Sequence, residues 1–233
     1  ATGALVAGFL LNRAVEYLQG KRQKSRFVYD IDPQAENLRA AKLNSKFTRK
    51  GPAEKGSHLY VTRIALTGGP CAGKSSSMEH LKSSLLKEGY DVYFVPEVPT
   101  ILMNGGSKYP GLDGGDKLME FEIALMALQL QIERSFTQIA ASTSRPSVLI
   151  MDRGLMDIKA YLPEDFWFSL LDRFSLTEKQ LLARYDAVVH LVTAAEGAEK
   201  YYTLTMAEGG CARTEDAGLA RELDHKARGA WAG

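Results

Sequence analysis

The chain has 233 residues, of which 45% are hydrophobic and 24% are charged, and its formal net charge is +1. These fractions are typical of a soluble globular protein, and the length suits one α/β domain with an extension. The nearly neutral balance gives no indication of nucleic-acid binding, so no nucleic acid is expected among the partners.

Residues 1–58 form a basic, partly apolar extension. Residues 1–11 are apolar and small, but Asn12 and Arg13 interrupt them, and about 20 apolar residues are needed to span a bilayer. They are interpreted as the end of a longer span, a targeting remnant, a helix docked on a partner or a plain amphipathic helix. A basic run at residues 21–26 is typical of a solvated linker, or of contact with an anionic membrane surface or an acidic partner. A mostly helical docking arm is predicted here.

A turn-rich segment at residues 50–56 marks the predicted boundary, and residues 59–233 are predicted to form the α/β domain. It opens with a strand at residues 60–67, a loop at residues 68–75 and a helix that ends near Gly89. The loop reads GGPCAGKS and fits G-x-x-x-x-G-K-[ST] at every fixed position. Strand, loop and helix in this order are the context that a phosphate-binding loop requires. The residues predicted to bind nucleotide are Gly68, Gly69, Pro70, Cys71, Ala72, Gly73, Lys74, Ser75 and Ser76.

The chemistry of this loop follows from its residue types. Glycines let consecutive backbone N–H groups point inward, and these groups with the helix N-terminus form a positive pocket for phosphate. We expect the Lys74 ammonium near the terminal phosphates of a nucleoside triphosphate, in a catalytic role. We expect the Ser75 hydroxyl to bind Mg²⁺.

Strands and helices alternate along the rest of the domain, which predicts a doubly wound parallel sheet with helices on both faces. The glycine-rich residues 103–116 are interpreted as a mobile loop over the site, and Ser175 with Glu178 as a helix capping box. Predicted strands lie at residues 91–95, 147–151 and 187–192, and predicted helices at residues 117–141, 163–174, 176–185 and 219–231. In the first of these helices, seven apolar residues recur at core-facing spacing: Leu118, Phe121, Leu125, Leu128, Ile132, Phe136 and Ile139.

Polar residues follow two further strands, where ligands of such sheets bind. Asp152 is predicted to be a second Mg²⁺ ligand, or else a helix N-cap or a sheet-end ion pair. Arg153 is predicted to bind the phosphoryl group or the acceptor. Glu97 is a candidate general base, and pairing with Arg153 or binding a sugar hydroxyl are equally open. Asp157 either has a role in the site or only caps and pairs.

Three further sets of residues allow an interpretation from the sequence. Arg213 lies in a polar loop and either reaches the phosphates during catalysis or is a solvated arginine. The two cysteines, Cys71 and Cys211, are interpreted as thiols in a reducing intracellular compartment, either cytoplasmic or organellar. The four histidines and both tryptophans are interpreted as structural.

Taken together, several segments resemble the NadR-type P-loop ATPase/kinase domain, which also occurs in proteins of the TRP-like-channel translocation-defect type. They are residues 68–75, 95–97, 152–157, 185–195, 201–204, 212–215 and 222–224. The resemblance covers residues 61–233 and implies a nucleoside-kinase-like fold that binds ATP or GTP with Mg²⁺. It adds weight to Arg213, whose A-R-T-E segment matches. In NadR the acceptor is nicotinamide riboside. Among the eukaryotic relatives, the resemblance implies binding of nucleotide and phosphoinositide. The family pattern continues into another strand and helix, so the sheet is expected to lack its last strand.

Three functions are consistent with these features. The first is Mg²⁺-dependent phosphoryl transfer from ATP or GTP to a small hydroxyl acceptor, with Glu97 next to the acceptor. The second is a nucleotide-binding or hydrolysing switch. The third is a nucleotide-binding subunit that docks through residues 1–58 on an organellar or membrane complex.

Overall fold

A computed structural model describes residues 61–111, 113–196 and 216–232. The predictions for residues 1–58, for Arg213, for Cys211 and for the side chain of Ser76 lie outside the described residues. Among the helices that are described, none is both long and apolar enough to cross a membrane.

The described part of the domain has four parallel strands in the order β2-β3-β1-β4. Each pair is parallel, so all four strands end at the same edge of the sheet. This confirms the predicted parallel sheet. The strands are β1 (Val61–Gly68), β2 (Asp91–Val95), β3 (Ser147–Asp152) and β4 (Ala187–Leu191).

Helices connect these strands, and most lie close to their predicted positions. They are α1 (Lys74–Lys87), α2 (Val98–Asn104), α3 (Asp116–Ser142), a 3₁₀ helix (Leu155–Tyr161), α4 (Glu164–Phe174), α5 (Glu178–Leu182) and α6 (Ala217–Ala232). The 3₁₀ helix and α2 were not predicted from the sequence. Of the glycine-rich segment at residues 103–116, the first two residues complete α2 and the last begins α3.

Alternate residues of the central strands face two separate hydrophobic layers. In β1, Ile64 and Leu66 pack with Leu85 of α1 in one layer, whereas Ala65 contributes to the other. That second layer contains residues of α3, α4 and α5, and Trp231 of α6. Burial of each large apolar side chain contributes about 1.5–3 kcal/mol, so both layers stabilise the sheet. Helices therefore cover both faces, and the doubly wound fold is confirmed.

Helix α3 departs from its predicted pattern at one position. Leu118 and Leu125 are buried as predicted, but Ile139 is 52% exposed. The neighbouring Ala140 takes the buried position instead. The same helix buries two carboxyl groups, Glu122 and Glu133, each at 2% exposure. Apolar spacing alone does not show where polar groups enter the core.

The predicted capping box of Ser175 and Glu178 is wrong. Ser175 has φ +52° and ends α4 in the left-handed conformation, so it cannot also have the extended backbone of an N-cap. Thr177 caps α5 instead, because its hydroxyl accepts a hydrogen bond from the Gln180 N–H. The helix starts two residues later than predicted and is shorter.

A buried polar network fixes the 3₁₀ helix against α3. The Tyr185 hydroxyl accepts a hydrogen bond from the Leu155 N–H at 2.7 Å and donates one to Glu133 Oε1 at 2.7 Å. The Arg184 guanidinium donates to the other Glu133 oxygen at 2.8 Å. Burial and the Glu133 charge raise the pKa of Tyr185, so its hydroxyl keeps its proton and remains a donor. The network positions the segment that follows β3.

Candidate functional site

The strand register brings three predicted site segments to one edge of the sheet. Leu66 of β1 lies beside Asp152 of β3, and Val95 of β2 lies beside Met151. The residues that follow these positions are the glycine-rich loop, the Arg153 turn and Glu97. The Arg153 N–H donates to the Leu66 carbonyl at 3.0 Å, which extends the pairing by one residue.

The glycine-rich loop, residues 68–75, depends on glycine at two positions for different reasons. Gly68 has φ +141°, and a Cβ there would lie 2.1 Å from the Leu191 carbonyl oxygen. Gly73 has φ +77° and is the N-cap of α1. A side chain would be strained at both positions, and at Gly68 it would also clash with the Leu191 carbonyl.

The Lys74 side chain folds back across the loop. Its Nζ donates to the carbonyl oxygens of Gly68 at 3.3 Å and Gly69 at 3.2 Å. Burial and the nearby Arg153 charge lower the pKa of Lys74 to about 8. The ammonium therefore lies where negative charge would stabilise it, and a phosphate group supplies such charge.

Arg153 lies at the centre of a group of charged side chains. Its Nε donates to Glu97 Oε1 at 2.6 Å and its Nη1 to the Gly68 carbonyl at 3.3 Å. Asp157 Oδ1 lies 3.8 Å from Nη1, and the Tyr161 ring centroid lies 5.5 Å from the guanidinium carbon. Burial opposes its charge, but Tyr161, Glu97 and Asp157 hold the pKa of Arg153 above its ordinary value. Arg153 also has φ +69°, and strained non-glycine residues of this kind cluster at functional sites.

Glu97 forms the ion pair with Arg153 that was one of its predicted alternatives. The Thr100 hydroxyl donates to its second oxygen, Oε2. Burial favours the neutral acid, but the Arg153 charge and the Thr100 hydrogen bond outweigh it and lower the pKa of Glu97. Glu97 is therefore an ionised carboxylate that can accept a hydrogen bond, although a low pKa weakens it as a base.

The surroundings of the Asp152 carboxylate are suited to binding a cation. Burial and the Glu97 charge raise the pKa of Asp152, while Lys74 and Arg153 oppose the rise. Its Oδ1 is buried and has no hydrogen-bond partner among the described residues. Carboxylate oxygens are suitable Mg²⁺ ligands, so this Asp152 oxygen fits a bound magnesium ion.

Asp157 caps the 3₁₀ helix and also contacts β1. Its Oδ2 accepts a hydrogen bond from the Gly154 N–H at 2.8 Å. Its Oδ1 accepts one from the Thr67 hydroxyl at the end of β1. Of the alternatives left open for Asp157, the structure therefore shows capping and pairing, directly beside Arg153.

Asp224 contacts the phosphate loop, although no sequence pattern indicated this role. It lies on α6, is 2% exposed, and its Oδ1 accepts hydrogen bonds from the N–H groups of Gly69 at 2.7 Å and Thr193 at 3.0 Å. Its Oδ2 lies 3.1 Å from His190 Nε2, which agrees with a structural His190. Residues 222–224 contribute to the family resemblance, but no local sequence pattern shows that α6 packs against the loop.

The parallel sheet, the loop between β1 and α1, and Asp152 at the end of β3 define a P-loop NTPase domain. A family model described as an AAA domain (AAA_28) matches residues 63–233, and the chain belongs to this family. A search of curated proteins found no match. Membership supports nucleotide binding, and P-loop domains generally bind nucleotide together with Mg²⁺. The narrower NadR-type resemblance remains a prediction.

Proposed function

We propose that the protein binds ATP or GTP with Mg²⁺ and transfers the terminal phosphoryl group to a small hydroxyl acceptor. The observation that carries this proposal is the position of the Glu97–Arg153 pair. It lies beside the phosphate loop, and Arg153 contacts the Gly68 carbonyl directly. A carboxylate and a guanidinium at this place can serve an acceptor and a phosphoryl group at once.

The nucleotide side of the site consists of the phosphate loop with Asp152. Lys74 balances phosphate charge, and the N–H groups of the second half of the loop contact phosphate oxygens. Ser75 and Asp152 hold the magnesium ion, which shields the charge of the phosphates when it is bound. Arg213 is proposed to reach the phosphates from its loop during transfer.

The acceptor side of the site is defined here as Glu97, Thr100, Arg153 and Tyr161. Arg153 moves its positive charge from Glu97 toward the phosphoryl group as charge develops there. Glu97 then accepts the proton of the acceptor hydroxyl. The hydroxyl oxygen bonds to the terminal phosphorus, the bond to the bridging oxygen breaks, and the nucleoside diphosphate leaves.

A second candidate function is nucleotide binding with weak hydrolysis or none. The observation that favours it is the low pKa of Glu97, because Arg153 and Thr100 already engage both carboxylate oxygens. In that case the domain acts as a nucleotide-binding subunit, and residues 1–58 are proposed to dock it on an organellar or membrane complex.

The two functions are distinguished by measuring nucleoside diphosphate release from MgATP and MgGTP, with and without a panel of nucleosides and other small alcohols. Phosphoryl transfer predicts release that depends on the acceptor. Glu97→Gln should then lower kcat about 100-fold or more, with the Kd for MgATP changed less than about threefold. Glu120→Gln, an exposed position on α3, is the matched control.

Release without any acceptor supports a hydrolysing switch. Nucleotide binding without turnover supports the docked subunit, and deletion of residues 1–58 should then abolish co-purification with a larger complex. Absence of MgATP and MgGTP binding by the wild-type protein contradicts both functions.

A further inference from the structure

The phosphate loop is bound along its first half by residues that lie far away in the sequence. The Gly69 N–H donates to Asp224 of α6, and the Pro70 carbonyl accepts a hydrogen bond from the Thr193 hydroxyl. Thr193 in turn donates its N–H to the same Asp224 oxygen. One buried carboxylate therefore joins the loop to the segment that follows β4.

This arrangement explains the second glycine of the loop. A Cβ on Gly69 would lie 2.9 Å from both Cβ and Oδ1 of Asp224, and 3.2 Å from the Ala220 carbonyl oxygen. Helix α6 approaches the loop so closely that no side chain fits between them. The Gly69 N–H faces α6, so the groups that remain to contact phosphate belong to the second half of the loop.

The same helix contacts the other half of the site two turns later. Trp231 lies seven residues after Asp224, so both project from about the same face of α6. A Cβ on Gly154 would lie 2.7 Å from the Trp231 ring, and the Trp231 and Tyr185 rings meet edge to face at 5.1 Å. Gly154 directly follows Asp152 and Arg153. Helix α6 therefore packs against both segments that must hold the nucleotide and the metal.

We infer that Asp224 is a positioning residue for the phosphate-binding site, and that α6 sets the phosphate loop relative to the Asp152–Arg153 turn. The inference rests on the proposed nucleotide-binding function. Its physical basis is preorganisation, because a loop held in the binding conformation loses less freedom when phosphate binds. A purely structural Asp224 would stabilise the fold without changing the affinity of the folded protein for phosphate.

Two substitutions of Asp224 separate these alternatives. Asp224→Ala removes the acceptor of the Gly69 and Thr193 N–H groups and the contact with His190. Asp224→Asn keeps an oxygen for the two N–H groups, removes the charge, and replaces the oxygen that faces His190 with an amide donor. Glu222→Gln is the matched control, because Glu222 lies on the same helix, is exposed and forms an i,i+4 ion pair with Lys226. The measurements are the Kd for a fluorescent ATP analogue with Mg²⁺, the Kd for AMP by competition, and the thermal unfolding midpoint of each variant.

We expect Asp224→Ala to weaken binding of the ATP analogue about tenfold or more, and binding of AMP less than about threefold. Asp224→Asn should return the ATP affinity to within about threefold of wild type. Gly69→Ala adds a Cβ that would displace Asp224 without removing it. This variant should show the same selective loss of affinity for the ATP analogue. This variant tests the inference independently if Asp224→Ala does not fold.

Three results would overturn the inference: unchanged ATP affinity in both Asp224→Ala and Gly69→Ala, equal loss for ATP and AMP, or an Asn variant as weak as the Ala variant. A wild-type protein that fails to bind MgATP would instead refute the proposed function, and the inference with it. The wild-type titration therefore distinguishes the two failures.

Discussion

The nucleotide side and the acceptor side of this site are held in place by different kinds of contact. The phosphate loop is fixed mainly through its backbone, by the Leu191 carbonyl behind Gly68 and by Asp224 on the Gly69 N–H. The acceptor side is fixed by charged and polar side chains around Arg153. Salt screens ion pairs near the surface more than it weakens buried hydrogen bonds. The difference suggests a preformed phosphate pocket next to an acceptor side that can rearrange.

The largest expected effect tests the nucleotide side alone. Lys74→Met removes the ammonium that is proposed to face the phosphates, and should weaken MgATP binding about 100-fold, or about 3 kcal/mol. The unfolding midpoint should change little, because the hydrogen bonds that the structure shows for Lys74 Nζ go to two loop carbonyls. Isothermal titration calorimetry measures the Kd, and Lys87→Met, in the last turn of the same helix, is the control. Wild-type affinity in Lys74→Met would show that the loop does not bind the phosphates as proposed.

The next effect tests whether stability near the acceptor side depends on pH. Burial raises the pKa of Glu122 from 4.5 to about 7, and its charge in turn helps raise the pKa of Tyr109. Since the folded state holds the Glu122 proton more tightly than the unfolded state does, the contribution of Glu122 to stability falls as pH rises from about 4.5 to about 7. Above pH 7 the cost levels off at about 3 kcal/mol or less.

Glu122→Gln lacks this titration. Its stability relative to wild type should therefore rise by up to about 3 kcal/mol between pH 4.5 and pH 8. Urea unfolding at several pH values measures the difference, with the exposed Glu120→Gln as control. A difference that does not change with pH would mean that Glu122 is solvated in the folded protein.

A smaller effect concerns the hydrogen-bond network of Tyr185, Glu133 and Arg184, which positions the 3₁₀ helix of the acceptor side. Tyr185→Phe leaves the Leu155 N–H without its acceptor and Glu133 without one donor. It should lower the free energy of unfolding by about 2 kcal/mol and lower kcat more than it changes the Kd for MgATP. Tyr90→Phe, in the other hydrophobic layer, is the control. An equal loss of MgATP affinity and kcat would show that the two sides are not independent.

The smallest effect comes from Thr100→Val, which removes the hydrogen bond to Glu97 Oε2 and leaves the Arg153 pair intact. We expect kcat for acceptor-dependent transfer to fall about threefold to tenfold, equivalent to about 1 kcal/mol, because the loss of orientation of Glu97 outweighs the gain in its basicity, with the Kd for MgATP unchanged. Steady-state kinetics measures it, with Thr143→Val at the end of α3 as control. A drop in nucleotide affinity would place Glu97 on the nucleotide side instead.

The sequence by itself determined the parts that depend on local chemistry. The glycines at fixed positions before Lys74 and Ser75 predict the backbone conformation of the phosphate loop. Left-handed φ values and a helix N-terminus depend on only a few neighbouring residues. Apolar runs bounded by turns predicted the four strands, and the parallel arrangement then placed Glu97, Asp152 and Arg153 at one edge. The family match supports this level of the prediction.

Only the tertiary structure decided the contacts between residues far apart in the chain. How the helices pack on the sheet decides three features: the pairing of Arg153 with Glu97, the burial of Glu122 and the contact of Asp224 with Gly69. Ser175 ends a helix in the left-handed conformation, which its residue type does not predict. Periodicity determines which face of a helix is apolar. It does not determine which buried polar group meets which partner, because that depends on distances set by the whole fold.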